Sequence, residues 1–206
     1  MIKCLKVIIV SYDERYLAER NIISHEVLTE VDWVRKFLKG RTVLDVACGT
    51  GRHGYILEYY GYEVTYFDLS EHALKNIRWS NRKICGDFLE YDFGDVKFDN
   101  VISFHFIEHL SDEQLVKALE KMKELARYRV INVSPHPKSI VYNKDKTHVP
   151  RTFRRLVEIY LSVLPNTKIY SFDNKFRPHP LAWIRGFFEK LRPHYFENLM
   201  FVTGVG

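Results

Sequence analysis

In the stretch VLDVACGTGRHG, residues 43–54, an aspartate stands between an apolar run and a turn with almost no side chains. Gly49, Gly51 and Gly54 let a backbone approach a ligand closely and let a helix pack tightly on a strand. The N–H groups that open the following helix accept an anion. The GxGxxG spacing alone also fits a dinucleotide site, with its pyrophosphate on the helix N-terminus. A Walker A loop is excluded, because no Lys-Ser or Lys-Thr follows the glycines. Asp45 argues against a pyrophosphate: a carboxylate just before the turn repels one, and suits an ammonium or sulfonium group instead.

A second acid, Asp68, closes the next apolar run 23 residues later. An acid there accepts from ribose hydroxyls, which fits an adenosyl group and fits NAD equally well. S-adenosylmethionine has an ammonium, a sulfonium, a ribose and a carboxylate for the turn's N–H groups. Further along, His105-Phe-Ile-Glu108-His109 spells H-x-x-E-H, a zinc-peptidase pattern in which two histidines one helical turn apart bind the metal. Glu108 would then be the base and a distant acid such as Glu189 the third ligand. His105, however, falls at the end of an expected strand and not inside a helix, so no metal is expected. A neutral imidazole at His105 suits proton removal from a hydroxyl or amine; the plainer role is to shape a pocket.

These residues need strands and helices in alternation, and the pattern supplies them. Leu17, Ile22, Ile23, Val27, Leu28, Val31, Val34 and Leu38 predict a helix over 13–39, stopped by Gly40. Strands are expected at 43–47, 62–67, 82–85, 99–104 and 129–134, and helices at 52–60, from Ser70 and from Ser111. Ser111 and Gln114 form a capping-box signature. Beyond Pro135 the chain predicts a helix at 151–163, a strand at 167–172, a helix at 181–191 and a last strand at 198–204. Alternation of this kind predicts an α/β, doubly wound, mostly parallel sheet with helices on both faces and an antiparallel edge pair at its end.

VLDVACGTGRHG resembles the first motif of class I S-adenosylmethionine-dependent methyltransferases, an acidic residue leading into a Gly-x-Gly turn. Ala47 stands where that family often has its first glycine, a small-for-small departure. YEVTYFDLSEHAL resembles the second motif, whose acid bonds both ribose hydroxyls; Asp68 matches, with Leu69 beside it. CGDF at 85–88 resembles the third, in which Asp87 accepts from the adenine amine and Phe88 packs on the ring. FDNVISFHFIEHL at 98–110 resembles the fourth, which puts Phe104 and His105 under the transferring methyl. The resemblance covers residues 40 to 135 well and implies a seven-stranded sheet with a reversed last strand. More loosely, it places Tyr12 and Tyr16 in an N-terminal lid over the cofactor. It also places His148, in DKTHVPRTFRRLVEIY, on the acceptor side, a surface-loop position being the alternative. His109 reads as a structural residue near the loop.

The expected organisation is one domain over 1–206: a helical lid at 1–40, a cofactor-binding core at 41–135, and an acceptor-side segment with edge strands at 136–206. No apolar run approaches the ~20 residues of a membrane span, the N-terminus has no signal-peptide pattern, and Cys4, Cys48 and Cys85 have no metal or disulfide spacing. A cytoplasmic setting follows. Residues 1–120 carry 15 Lys/Arg against 20 Asp/Glu, a net −5; residues 121–206 carry 16 against 6, a net +10. That split invites an anionic partner, RNA or an acidic metabolite, or is simply a solvated basic face. Arg151, Arg154 and Arg155 are candidates to hold a carboxylate or phosphate. Trp183, Phe187 and Phe188 suit packing on the sheet, with a partner-facing or membrane-surface helix as the other reading. The expected activity is transfer of a methyl group from S-adenosylmethionine, leaving S-adenosylhomocysteine, to O or N of a small molecule. The alternatives are an RNA or protein acceptor engaged by the basic half, a non-catalytic adenosyl-binding protein, and a dinucleotide oxidoreductase. Acceptor and oligomeric state stay open.

Overall fold

The computed structural model describes residues 23–172 and 198–205. Its elements, in chain order, are α1 (His25–Arg35), β1 (Thr42–Val46), α2 (Arg52–Tyr59), β2 (Glu63–Asp68), α3 (Glu71–Lys75), β3 (Lys83–Cys85) and β4 (Phe98–Phe104). A 3-10 turn (Ile107–His109), α4 (Asp112–Leu125), β5 (Ala126–Pro135), α5 (Ile140–Lys144), α6 (Phe153–Val163), β6 (Lys168–Phe172) and β7 (Asn198–Gly204) complete it.

The strands form one seven-stranded sheet in the order β3-β2-β1-β4-β5-β7-β6. β1, β2, β3, β4 and β5 pair in parallel; β7 runs antiparallel to both β5 and β6. The reversed last strand and antiparallel edge pair anticipated from the sequence are therefore present. Strand order reverses between β1 and β4, where Asp45 lies beside Ile102 and Val46 beside Ser103. That switch point is where ligands enter a doubly wound sheet, outside the strands' carboxyl ends.

Period-2 alternation in buried strands gives each face its own core. Leu44, Val46, Val101 and Phe201 face α4 and α6; Val43, Val64, Ile102 and Val133 face α1 and α2. α4 buries Leu115, Ala118, Leu119, Met122 and Leu125; each large side chain among them is worth roughly 2 kcal/mol. Its capping box is formed in full: Gln114 N–H donates to Ser111 Oγ, and Ser111 N–H to Gln114 Oε1. At Gly54 an added Cβ would lie 2.3 Å from Tyr66 Cε1, so the close approach of α2 to β2 needs glycine there.

Three expectations change. The helix predicted over 13–39 is not continuous: α1 begins at His25, because Ser24 is extended (φ −84°, ψ 162°) and its hydroxyl caps Val27 N–H. β5 starts at Ala126, three residues early, because it pairs with Phe98 across an irregularity in β4. The short helix α5 and the 3-10 turn have too few residues to show a period. The predicted helix at 181–191, with Trp183, Phe187, Phe188 and Glu189, and the lid residues Tyr12 and Tyr16 lie outside the described residues. Among the described residues no helix is long and apolar enough to cross a membrane.

Candidate functional site

The turn after β1 is built from left-handed backbone: Ala47 (φ 56°), Gly49 (φ 55°) and Gly51 (φ 74°). For Ala47 that conformation costs about 1–2 kcal/mol, so the replacement of a glycine there is not neutral, as its size alone suggests. Ala47 and His105 (φ 55°) are the two non-glycine residues with positive φ among those described. They terminate the adjacent strands β1 and β4, so the strain gathers at the switch point, as it does at functional sites. Nothing lies within 4 Å of a Cβ built on Gly49, which leaves that stretch of backbone open to a ligand.

Two carboxylates flank the turn. Asp68, at the end of β2, accepts from Gly49 N–H at 2.7 Å and from Ser70 N–H at 2.8 Å, tying the turn to the second strand. Burial raises its pKa above the ordinary carboxylate value. Asp45 is buried, and its Oδ2 has no hydrogen-bond partner. Burial, and then the charge of Asp68, push its pKa up to about 8 against one hydrogen bond from the Gly54 backbone. The same surroundings raise the Cys48 thiol well above its usual value, burial first, so it is no nucleophile. An unsatisfied buried carboxyl at the turn suits a cationic group and disfavours a pyrophosphate.

The adenine end is mixed. Leu69 is 54% exposed beside Asp68 and offers an apolar surface. Asp87 Oδ1 accepts from Leu89 N–H and shapes the loop after β3. Phe88 is 5% exposed and meets Phe67, Phe93 and Phe106 edge-on. It belongs to the core, so its face is not available to stack on a purine, contrary to the expectation from CGDF.

At the other side of the switch point lies a network that sequence reasoning missed. Glu30, 2% exposed in α1, accepts from His53 Nε2 (2.7 Å), His105 Nε2 (3.0 Å) and Asn198 Nδ2 (3.3 Å). Burial alone would protonate Glu30, but the charge of His105 and the hydrogen bonds from both rings hold it ionised, far below the usual range. Burial opposes charge on His105 too; Glu30 and Glu108 outweigh it and hold its pKa at about 10. In this geometry His105 is an imidazolium and donates, so the neutral-base role expected of it is not the one the site favours. His53, whose pKa burial depresses, stacks on Phe104 with centroids 3.8 Å apart and planes 8° apart. Phe104 is therefore a floor under the cleft. The legible signal was Glu30 itself, an acid inside the buried stripe Val27, Val31, Val34.

His148 lies on the loop before α6 with its side chain turned inward: it is 7% exposed, against the rings of His109 and Tyr142 at 4.8 Å each. The arginines, by contrast, are taken. Arg151 is 2% exposed and donates to Asp112 Oδ1 (2.9 Å) and the Leu110 carbonyl (2.6 Å). Arg155 pairs with Asp112 Oδ2 at 2.7 Å, and Arg154 with Glu158 at 2.9 Å. Arg151 and Arg155 clamp the start of α6 to α4, while Arg154, 89% exposed, pairs within its own helix. His105, Glu108 and His109 do not share a helical face either: His105 ends β4 while the other two lie on the 3-10 turn, so the peptidase arrangement is not formed.

Residues 43–128 match the family described as methyltransferase domain. An uncharacterized protein of Methanocaldococcus jannaschii is 24% identical over 158 residues, 73% of this chain and 68% of that one. A SAM-dependent methyltransferase from Archaeoglobus fulgidus has a similar structure (TM-score 0.73, 24% identity, 93% of this chain and 100% of that one). So does magnesium protoporphyrin IX methyltransferase from Synechocystis PCC 6803 with bound SAM (TM-score 0.60, 17% identity, 93% and 86%). At these identities the two structures speak for the fold.

Proposed function

We propose that this chain, with a methyltransferase-domain match over residues 43–128 and a seven-stranded sheet with a reversed last strand, is a class I S-adenosylmethionine-dependent methyltransferase that moves a methyl group to an O or N atom of a small-molecule acceptor. The observation that carries the cofactor site is the pair of buried carboxylates, Asp45 and Asp68, on a turn of left-handed backbone at the β1/β4 switch point. On this reading Asp45 faces the ligand's ammonium, and the open backbone at Gly49 lies against the ligand. Asp68 takes the ribose hydroxyls, and Leu69 and Asp87 bound the adenine. Methyl transfer is an in-line displacement at a carbon already activated by the sulfonium. The protein's task is to align an unprotonated nucleophile and keep out water. His105, charged and 36% exposed at the end of β4, lines the acceptor side of the cleft. His148 closes the acceptor side across Glu108. The pairing of Arg151, Arg154 and Arg155 with Asp112 and Glu158 leaves little in this region to grip a polyanion, which favours a small acceptor over RNA.

Calorimetric titration with S-adenosylhomocysteine tests the cofactor site, with NAD as control. Wild type should bind at micromolar concentration, and Asp68→Ala should weaken binding by about 1 kcal/mol or more, the scale of a hydrogen bond to a charged group. Asp68→Asn keeps the bond from Gly49 N–H and guards against a collapsed turn. Binding indifferent to Asp68, or tighter binding of NAD, would overturn this site. Binding without turnover on any metabolite pool would favour the non-catalytic alternative.

A further inference from the structure

Behind His105 the 3-10 turn and the loop before α6 bring Glu108, His109 and His148 together. One ligating atom from each lies within 4.8 Å of the others. Glu108 is 1% exposed, and neither carboxylate oxygen has a hydrogen-bond partner among the described residues; its nearest charge is His105 Nδ1, 3.5 Å from Oε1. A buried carboxylate whose one charged neighbour stands beyond a good hydrogen-bond distance is costly unless further positive charge meets it.

The hydrogen bonds around the two histidines decide which nitrogen each presents. The Thr147 hydroxyl has one proton, and at 2.6 Å it goes to Asp145 Oδ1, a carboxylate that only accepts. Toward His109 Nδ1, at 3.0 Å, Thr147 Oγ1 is therefore the acceptor, and Nδ1 carries the hydrogen. His148 Nδ1 meets the Tyr142 carbonyl at 3.0 Å, so it too carries hydrogen. Both rings, when neutral, present Nε2 as a lone pair. His148 Nε2 is 3.6 Å from Asp145 Oδ2, too far for a hydrogen bond. Oriented imidazoles whose second nitrogen donates to an oxygen, beside a bare carboxylate, are the arrangement that precedes metal binding. The backbone holds it in place, since Val149 N–H donates to the Glu108 carbonyl at 2.8 Å.

The geometry points to a site for a divalent first-row transition cation, held by Glu108, His109 and His148. The two-nitrogen, one-oxygen set suits Zn²⁺, Mn²⁺ or Fe²⁺ and not Ca²⁺. Bonds of about 2.1 Å put tetrahedral ligands about 3.4 Å apart, so small side-chain rotations close the present spread. Three protein ligands leave a coordination place for water or an oxygen of the acceptor. That last consequence rests on the methyltransferase reading, whereas the cation site does not. The ligands are also not those of the H-x-x-E-H reading: His105 is replaced by a histidine 40 residues downstream of Glu108.

The test is titration of metal-stripped, untagged full chain with Zn²⁺ and, separately, Mn²⁺, by calorimetry, with S-adenosylhomocysteine binding measured on the same samples. One saturable equivalent of at least one ion is expected. Glu108→Gln, His109→Ala and His148→Asn should each weaken it at least about 10-fold, while His72→Ala on α3 leaves it unchanged. Should Glu108→Gln fail to fold, Thr147→Val decides, since it keeps all three ligands but removes the oxygen that orients His109; about 10-fold weakening is again expected. No saturable binding to wild type, or binding that these substitutions leave intact, overturns the site. Either result stands apart from the cofactor, which the parallel titration reports.

Discussion

Asp45 carries a cost that its ligand should remove. With its pKa raised from 3.8 to about 8, the folded protein binds a proton that the unfolded chain has lost over that whole interval. Stability therefore falls as pH rises from about 4 to about 8, by linkage. A ligand ammonium beside Asp45 reverses the preference, because a nearby positive charge favours the carboxylate. Binding of S-adenosylhomocysteine near pH 7 should then release most of one proton from Asp45. Calorimetry in phosphate and in Tris at the same pH reads this directly, as a difference in apparent enthalpy. Asp45→Asn should abolish Asp45's share of the release, and pH 9 should nearly do so. An enthalpy independent of buffer in wild type, or a release that Asp45→Asn leaves whole, would mean the ligand's charge lies elsewhere.

At the scale of elements, α1 is held to the sheet by more than its valines. Glu30 joins α1 to α2 through His53, to the end of β4 through His105, and to β7 through Asn198. Glu30→Gln removes the charge that three elements share and should destabilise the fold by about 3 kcal/mol, lowering Tm by about 6–12 °C for a chain of this size. Glu26→Gln, on the exposed face of the same helix, should change Tm by about 1 °C or less, within surface-substitution range. Equal melting of the two variants would remove Glu30 from the architecture. Such a role is hard to read in a sequence. The glycine turn was legible because positive φ restricts residue type at each position, and the capping box because its partners are three residues apart. Glu30 and His105 are 75 residues apart, and nothing local marks an acid in an apolar stripe as a hub. Phe88 misled for the converse reason: the motif fixes its place in the chain, but the aromatic neighbours that cover it come from β2 and from the loops after β3 and β4. The orientation of His109 and His148 depends on Thr147, Asp145 and the Tyr142 carbonyl, which only the folded loop brings together.

For the whole molecule the question is what its uneven charge does. The C-terminal part has a net +10, and part of that charge is engaged in the described residues. Arg127 pairs with Asp99, Arg151 and Arg155 with Asp112, and Arg154 with Glu158. Lys121 donates to the Tyr91 carbonyl and lies over the Phe88 and Phe93 rings. A protein that tracks a nucleic-acid backbone needs its cations free and aligned, because affinity comes from the counterions each phosphate contact releases. With these four arginines paired, binding to single-stranded RNA should be weak. The slope of log affinity against log salt should correspond to about three phosphate contacts or fewer, and binding should be lost by about 200 mM salt. Measuring that slope on wild type, by fluorescence anisotropy with a labelled oligonucleotide, separates the acceptor classes without knowing the acceptor. A slope that demands six or more contacts and persists at 200 mM would count against a small-molecule acceptor, because a general electrostatic face has no reason to hold a polyanion so firmly.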